Sequence, residues 1–343
     1  MRILLGLLVA LCTTWLPAVE RLPALPDDHG FAGMFAGVSN GTLLVAGGAN
    51  FPDKKPWEGG TKVWYDRVFA LSSAEGEWRD IGKLPRPLGY GVSVTHANGV
   101  ICVGGSDAAR HYADVFCVEW KAGKLIVKDL PALPQPLANA AGALVGDALF
   151  VVGGQEAPDS KTASAAVWKL ELLSAKPRWE RVADCPGSAR IFPVAAEADG
   201  ALWIAGGAEL VTEDGKAARR YLADAYRFDL HGGWKRIADL PAPVVAAPSP
   251  APVDAKGLYL LGGDDGSQVG ADPRTHRGFG STILRYDLHA EKWQPVGRWN
   301  APRVTAPCVL WNGKWIVPSG EVRPGVRSPE VQAVSLIAEE SER

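Results

Sequence analysis

The chain has 343 residues, 47% of them hydrophobic, enough to bury the core of one large domain or two medium ones. Its net charge of -2 includes no block of one sign, which argues against nucleic acid or an anionic membrane surface as a partner. Counts of 39 Gly, 26 Pro and 13 Trp argue against a helical protein and suit many short strands joined by tight turns.

Residues 1–18 predict a cleaved secretory leader. Arg2 precedes an apolar run from Ile3 to Leu11, and a small-residue site lies near Ala18. Leu11 before Cys12 argues against a lipoprotein signal. No later stretch approaches the ~20 apolar residues of a spanning helix. The mature chain is therefore expected in the periplasm or outside the cell, with no membrane span. Four cysteines remain after cleavage: Cys102, Cys117, Cys185 and Cys308. None has metal-ligand spacing. Cys102 and Cys117 fall on strands expected to be neighbours, so either a disulfide or two buried thiols fits.

From residue 29 onward the chain repeats. An apolar strand runs into a Gly-Gly pair beginning at Gly47, Gly104, Gly153, Gly206 and Gly262, with a sixth, variant copy at Ser319-Gly320. The intervals are 57, 49, 53, 56 and 57 residues. A loop and an aromatic-rich strand follow each pair, as in "VWYDRVFAL" and "LADAYRFDL". A Trp then opens another strand (Trp78, Trp179, Trp234, Trp293), and a Leu-Pro turn usually closes the unit. Four strands per unit at a period near ~50 predict an all-β, six-bladed kelch-type β-propeller. The predicted blades are 29–84, 85–133, 134–184, 185–240, 241–299 and 300–338, with a polar tail over 339–343. The sixth lacks its outer strand. Residues 19–25, in "VERLPALPDD", resemble the closing segments "LIVKDLPALPQP" and "KRIADLPAPVV". They are expected to complete that blade and close the ring.

Chemistry on such a ring belongs on the loops gathered at the ends of the channel. After the Gly pairs these carry Asn50, Asp107, Glu156, Glu209, Asp264 and Asp265. Arg86, Tyr90, Asn139, Arg190 and Arg303 enter the blades. The arginine excess predicts a small anionic ligand, with Asn50, Arg86, Tyr90, Arg190 and Arg303 as candidate contacts. The six histidines show no HxH or HExxH spacing, and there is no GxSxG elbow or phosphate loop. Neither a metal nor another cofactor is expected.

The variant sixth copy reads "WIVPSGEVRPGVRS", with Glu321 and Arg327 bracketing Pro324-Gly325. Together with "GFAGMFAGVSNGTLLVAGGANFPDKKPWEGG" and "PLGYGVSVTHANGVICVGGSD", it resembles the periplasmic sialic acid mutarotases, or N-acetylneuraminate epimerases, across essentially the whole mature chain. Here the Gly-Glu…Arg blade comes last, as in a circularly permuted branch. The resemblance implies interconversion of sialic acid anomers, with Glu321 as acid–base residue and Arg327 on the sugar carboxylate. Arg303, entering the same blade, is expected to assist. Two rivals are a non-catalytic glycan- or protein-binding ring and a mutarotase for another sugar acid. A copper radical oxidase would need a Cys–Tyr crosslink and a histidine pair at the channel, whereas Cys102 and Cys117 fall on strands and no His pair is expected to face the channel.

Overall fold

The structure, a computed structural model, describes residues 18–213 and 215–336. The predicted leader up to residue 17 and the tail over 339–343 lie outside the described residues. Six four-stranded antiparallel sheets form the blades of a propeller. In five of them the strands follow chain order from the axis outward: Phe35–Ser39 to Arg79–Lys83, Val92–His96 to Lys124–Asp129, Ala138–Val145 to Trp179–Val182, Val194–Ala198 to Gly233–Arg236, and Val253–Asp254 to Lys292–Arg298. The sixth runs Val309–Trp311, Lys314–Pro318 and Val331–Ser335, and its outermost strand is Ala18–Leu22 from the other end of the chain. That strand pairs antiparallel with the last one, from Ala18 opposite Ser335 to Leu22 opposite Val331.

Apolar side chains pack between the blades, in one wedge for each neighbouring pair. Leu43 and Val45 join the wedge towards blade six, while Leu44 and Ala46 join the wedge towards blade two. Side chains alternate across a strand, so a sheet covered on both faces needs an unbroken apolar run. That is why the second strands read "LLVA" or "LFVV" rather than alternating polar and apolar. The same alternation decides the cysteine question. Cys102 lies opposite Phe116 and Cys117 opposite Ile101, so the two thiols point into different wedges. Both are free.

Four of the five Gly pairs fasten their blade to the next; Gly262-Gly263 instead packs against Gly280 of its own blade. The first glycine is left-handed, φ 61° at Gly206, and a Cβ there would lie 2.1 Å from the Val244 carbonyl oxygen of the next blade. The second glycine donates its N–H to that same oxygen, as Gly207 does at 2.8 Å. In the sixth copy Ser319 keeps the left-handed backbone, φ 61°, and Gly320 still donates to the Phe31 carbonyl at 2.9 Å. The fully buried Ser319 hydroxyl accepts the Phe31 N–H at 2.7 Å and lies 2.6 Å from the Ser328 carbonyl oxygen. The serine thus ties blade six both to blade one and to the base of the loop carrying Glu321 and Arg327.

Further out, the Trp of the fourth strand reaches back to the closing turn of the previous blade. Trp179 Nε1 donates to the Pro131 carbonyl, and Trp78 Nε1 donates to the Pro23 carbonyl, both at 2.7 Å. The N-terminal "RLPALP" therefore occupies the place that "DLPALP" takes in blade two.

A backbone ring encircles the axis. Gly33 donates to Thr305, Thr305 to Ala246, Ala246 to Phe192, Phe192 to Asn139, Asn139 to Tyr90 and Tyr90 back to Gly33, at 2.7–3.0 Å. All six residues are left-handed, with φ between 51° and 67°. The residue before each one bridges to the residue immediately after a Gly pair or its Ser-Gly variant, for example Gly89 to Ser106 and Val304 to Glu321. Two stacked layers of six positions, one from each blade, thus form the floor and wall of the channel mouth.

Candidate functional site

Glu321 belongs to the wall layer of blade six. It and Arg327 face each other across a short hairpin, Glu321–Arg323 against Val326–Arg327, turned by Pro324-Gly325. The turn aims the carboxylate: Gly325 N–H donates to Glu321 Oε1 at 2.7 Å. Glu321 Oε2 carries no hydrogen bond among the described residues. Arg327 Nη1 lies 3.3 Å from Glu321 Oε1, close enough for an ion pair but not aligned for a hydrogen bond. The Arg327 guanidinium rests on Phe51, 4.8 Å from the ring centroid, with only 4% of its side chain exposed. Its Nε and Nη1 are buried without any hydrogen-bond partner. Buried donors are normally satisfied, so this guanidinium is left with unused hydrogen-bonding capacity beside the Glu321 carboxylate.

Glu321 and Arg327 line a cavity of about 810 Å3 with Tyr90, Phe192 and Thr305 of the floor and Lys62, Arg219 and Asp264 of the walls. Asp264 is the other carboxylate there, but both its oxygens are engaged. One accepts the Tyr221 hydroxyl at 2.8 Å and the other the Gly266 N–H at 3.0 Å. Burial, reinforced by Asp264, pushes the Tyr221 hydroxyl up to about 12, so it remains a donor. Glu321 is thus the lining carboxylate with an oxygen left over for chemistry. Lys62 lies 5.1 Å from the Tyr90 ring centroid and forms no ion pair among the described residues. A second cavity of about 980 Å3 shares Lys62, Tyr90, Phe192 and Arg219 with the first and continues over blades two and three.

Of the residues singled out from the sequence, Glu321, Arg327 and Tyr90 meet at this mouth, and Asn139 lines its second half. Four others are placed elsewhere, which corrects the expected arginine-rich channel. Arg190 is 1% exposed and grips Asp224 with two 2.9 Å hydrogen bonds. Arg303, 3% exposed, bonds Glu330 at 2.6 Å. Arg86 pairs with Asp114 at 3.0 Å and stacks on Tyr112. Asn50 is fully buried, donating to the Gly30 carbonyl at 2.9 Å and accepting the Tyr65 hydroxyl at 2.8 Å. The left-handed floor residue breaks the strand alternation. The arginine two positions before it, 190 before Phe192 and 303 before Thr305, therefore turns away from the channel into the protein.

The cations that do line the mouth are Arg327, Lys62 and Arg219. Aligning the repeats on their Gly pairs would have found Phe192 as the counterpart of Tyr90. Lys62 closes the "PWEGGTK" loop peculiar to blade one, and Arg219 sits on the hairpin Ala208–Glu213 with Lys216–Tyr221, peculiar to blade four. No repeat position marks either. His111 lines the mouth as well. Among the described residues no three His, Cys, Asp or Glu groups gather as a metal site would require.

Arg190 yields a prediction about stability. Burial alone would raise the Asp224 carboxyl, but the Arg190 hydrogen bonds outweigh it and hold that carboxyl below the usual carboxylate range. The pair's contribution is therefore complete at neutral pH and fades as pH falls through the depressed value. Arg190→Met should cost about 3–5 kcal/mol in urea unfolding at pH 7, because Asp224 stays buried and unpaired. The penalty should shrink in acid, and turnover by the folded fraction should not change.

Comparison with known proteins adds a family. A family model described as N-acetylneuraminate epimerase matches residues 9–127 and 130–271. The N-acetylneuraminate epimerase of Salmonella arizonae is 38% identical over 127 residues, which cover 34% of this chain and 32% of that protein. The one from Yersinia pestis is 36% identical over 137 residues, covering 36% of this chain and 34% of its own length. The matched stretch thus spans about a third of these curated relatives. A solved structure described as that of YjhT superposes with a TM-score of 0.68 over 93% of this chain and 98% of its own, at 14% identity, which is a likeness of fold. Glu321 and Arg327 lie beyond the residues that the family model matches, so their case rests on the geometry above.

Proposed function

The chain belongs to the N-acetylneuraminate epimerase family, and we propose that it interconverts the α and β anomers of sialic acid, with Glu321 as acid–base residue and Arg327 as the carboxylate clamp. The observation that carries this reading is the pairing of a free Glu321 oxygen with two unmatched Arg327 donors at the channel mouth. In sialic acid the carboxylate is attached to the anomeric carbon itself. A guanidinium holding that carboxylate would therefore set the anomeric hydroxyl beside Glu321. Glu321 removes the hydroxyl proton, the bond from the anomeric carbon to the ring oxygen breaks, and the carboxyl returns its proton to that ring oxygen. The open keto form turns about the bond to the neighbouring ring carbon, presents its other face and closes by the same steps in reverse. No group outside the site is consumed.

Phe51, Tyr90 and Phe192 supply apolar walls that limit water around the carboxylate. The predicted leader places this reaction in the periplasm or outside the cell as part of the same proposal. The test is NMR of α-sialic acid freshly released by a sialidase. With the chain added, the α signal should decay faster than the spontaneous rate. An unchanged decay with bound sugar would favour a binding ring. Acceleration only for another sugar acid would reassign the substrate.

A further inference from the structure

The second half of the mouth takes no part in the chemistry just described, yet it is built to hold a ligand. Three side chains there are more than nine-tenths buried: Ser106 at 6% exposure, His111 at 7% and Gln155 at 8%. All three line the cavity of about 980 Å3. Each keeps one polar atom with no hydrogen bond among the described residues: Ser106 Oγ, His111 Nε2 and Gln155 Oε1. Two of them are locked in place. His111 Nδ1 lies 3.0 Å from the Gln155 carbonyl oxygen, and Gln155 Nε2 donates to the Ala157 carbonyl at 2.9 Å. A carbonyl only accepts, so Nδ1 carries the proton and Nε2 offers a lone pair to the cavity. Burial also pushes His111 below the usual imidazole value, which favours this neutral form. These three atoms are open to the cavity rather than sealed in protein, and they converge on one space. Both a hydroxyl oxygen and two acceptors are represented, a set that hydroxyl groups, as donors and acceptors, can satisfy.

Their position matters as much as their chemistry. Gln155 and Ser106 occupy the same wall position as Glu321, the residue immediately after the Gly pair. Blade three faces blade six across the axis. Lys62, Tyr90, Phe192 and Arg219 are common to both cavities, so one ligand can span them. A nine-carbon sugar acid has the matching shape: carboxylate and anomeric carbon at one end of the ring, a hydroxylated three-carbon tail at the other.

We propose that Ser106, His111 and Gln155 form a subsite for the polyhydroxylated tail of the sugar acid, opposite the Glu321–Arg327 end. The proposal rests on the sugar-acid reading above, and the subsite would make the site selective for long-tailed sugar acids. Trp64, on the same wall, offers an aromatic face to the tail's carbons.

The test compares sialic acid with an analogue whose tail has been cut by periodate and reduced to a single hydroxymethyl group. Mutarotation is followed by NMR and affinity by calorimetry. The wild-type chain should prefer the full sugar by about tenfold or more, because the truncated one cannot bond these three groups. Ser106→Ala and Gln155→Ala should each pull that ratio towards one, in protein shown by thermal unfolding to be folded. Equal handling of both sugars by the wild-type chain would overturn the proposal without any variant. A wild-type ratio retained in both variants would overturn the assignment of these residues. If the chain binds the full sugar better but accelerates neither, the subsite stands and the acid–base role of Glu321 falls. If it binds neither, both fall.

Discussion

Glu321→Gln should lower the rate of catalysed anomer exchange by about 10²–10⁴-fold, the usual range for losing a general acid–base group. Glutamine has the same shape and can still accept the Gly325 N–H, so the hairpin keeps its turn. What disappears is the ability to take up and return a proton. Sugar affinity should therefore change little and kcat should carry the loss, the signature of an interaction made in the transition state. Arg327→Met should behave differently. It removes the charged donors expected to hold the sugar carboxylate, interactions worth about 1.5–3 kcal/mol, so KM should rise by roughly 10–150-fold. Arg327→Lys should recover little of this, since an ammonium restores the charge but not the two-pronged geometry. NMR of both anomers, with thermal unfolding as the folding control, separates these outcomes. Unchanged rates in Glu321→Gln and Arg327→Met would leave the propeller and remove the mechanism.

A mature chain lacking the residues up to Leu25 should lose most of its stability. Blade six would keep three strands and expose the edge of Val331–Ser335. Leu22 and Leu25, 7% and 3% exposed, would leave the wedge between blades six and one. Burial of each such side chain contributes about 1.5–3 kcal/mol. Trp78 Nε1 would lose its acceptor on Pro23, at about 1–3 kcal/mol for a donor left unmatched. These losses together are a large part of the 5–15 kcal/mol that typically holds a domain. A fall in Tm of about 10 °C or more is expected, and a peptide spanning the missing residues should restore part of it. A truncated chain that melts like the full one would mean that the ring does not depend on its terminal strand.

The architecture was legible because a propeller writes its packing into the sequence at every turn. Sheets covered on both faces demand unbroken apolar runs, and the close approach of blades demands the Gly pairs. The Trp-to-closing-turn hydrogen bond repeats often enough that "RLPALP" could be matched to its counterparts from sequence. The site was legible only in part. Glu321 and Arg327 stood out by resemblance, and Tyr90 by position. Arg190 and Arg303 misled because a left-handed residue two places on reverses the direction in which their side chains point. Lys62 and Arg219 come from loops that occur once each, so no periodicity could announce them. Ser319 looked like a lapse in the repeat, yet its hydroxyl adds ties that a glycine could not make. Ser106, His111 and Gln155 read as ordinary loop or strand residues until the stacking of the repeats put them on one wall.

The most direct test of the central claim is a crystal structure of the Glu321→Gln chain soaked with sialic acid. The account predicts the sugar carboxylate on the Arg327 guanidinium, the anomeric hydroxyl within hydrogen-bonding distance of residue 321, and the hydroxylated tail over blades two and three. A sugar bound with its anomeric carbon away from residue 321, or on the outer surface of the ring, would contradict it.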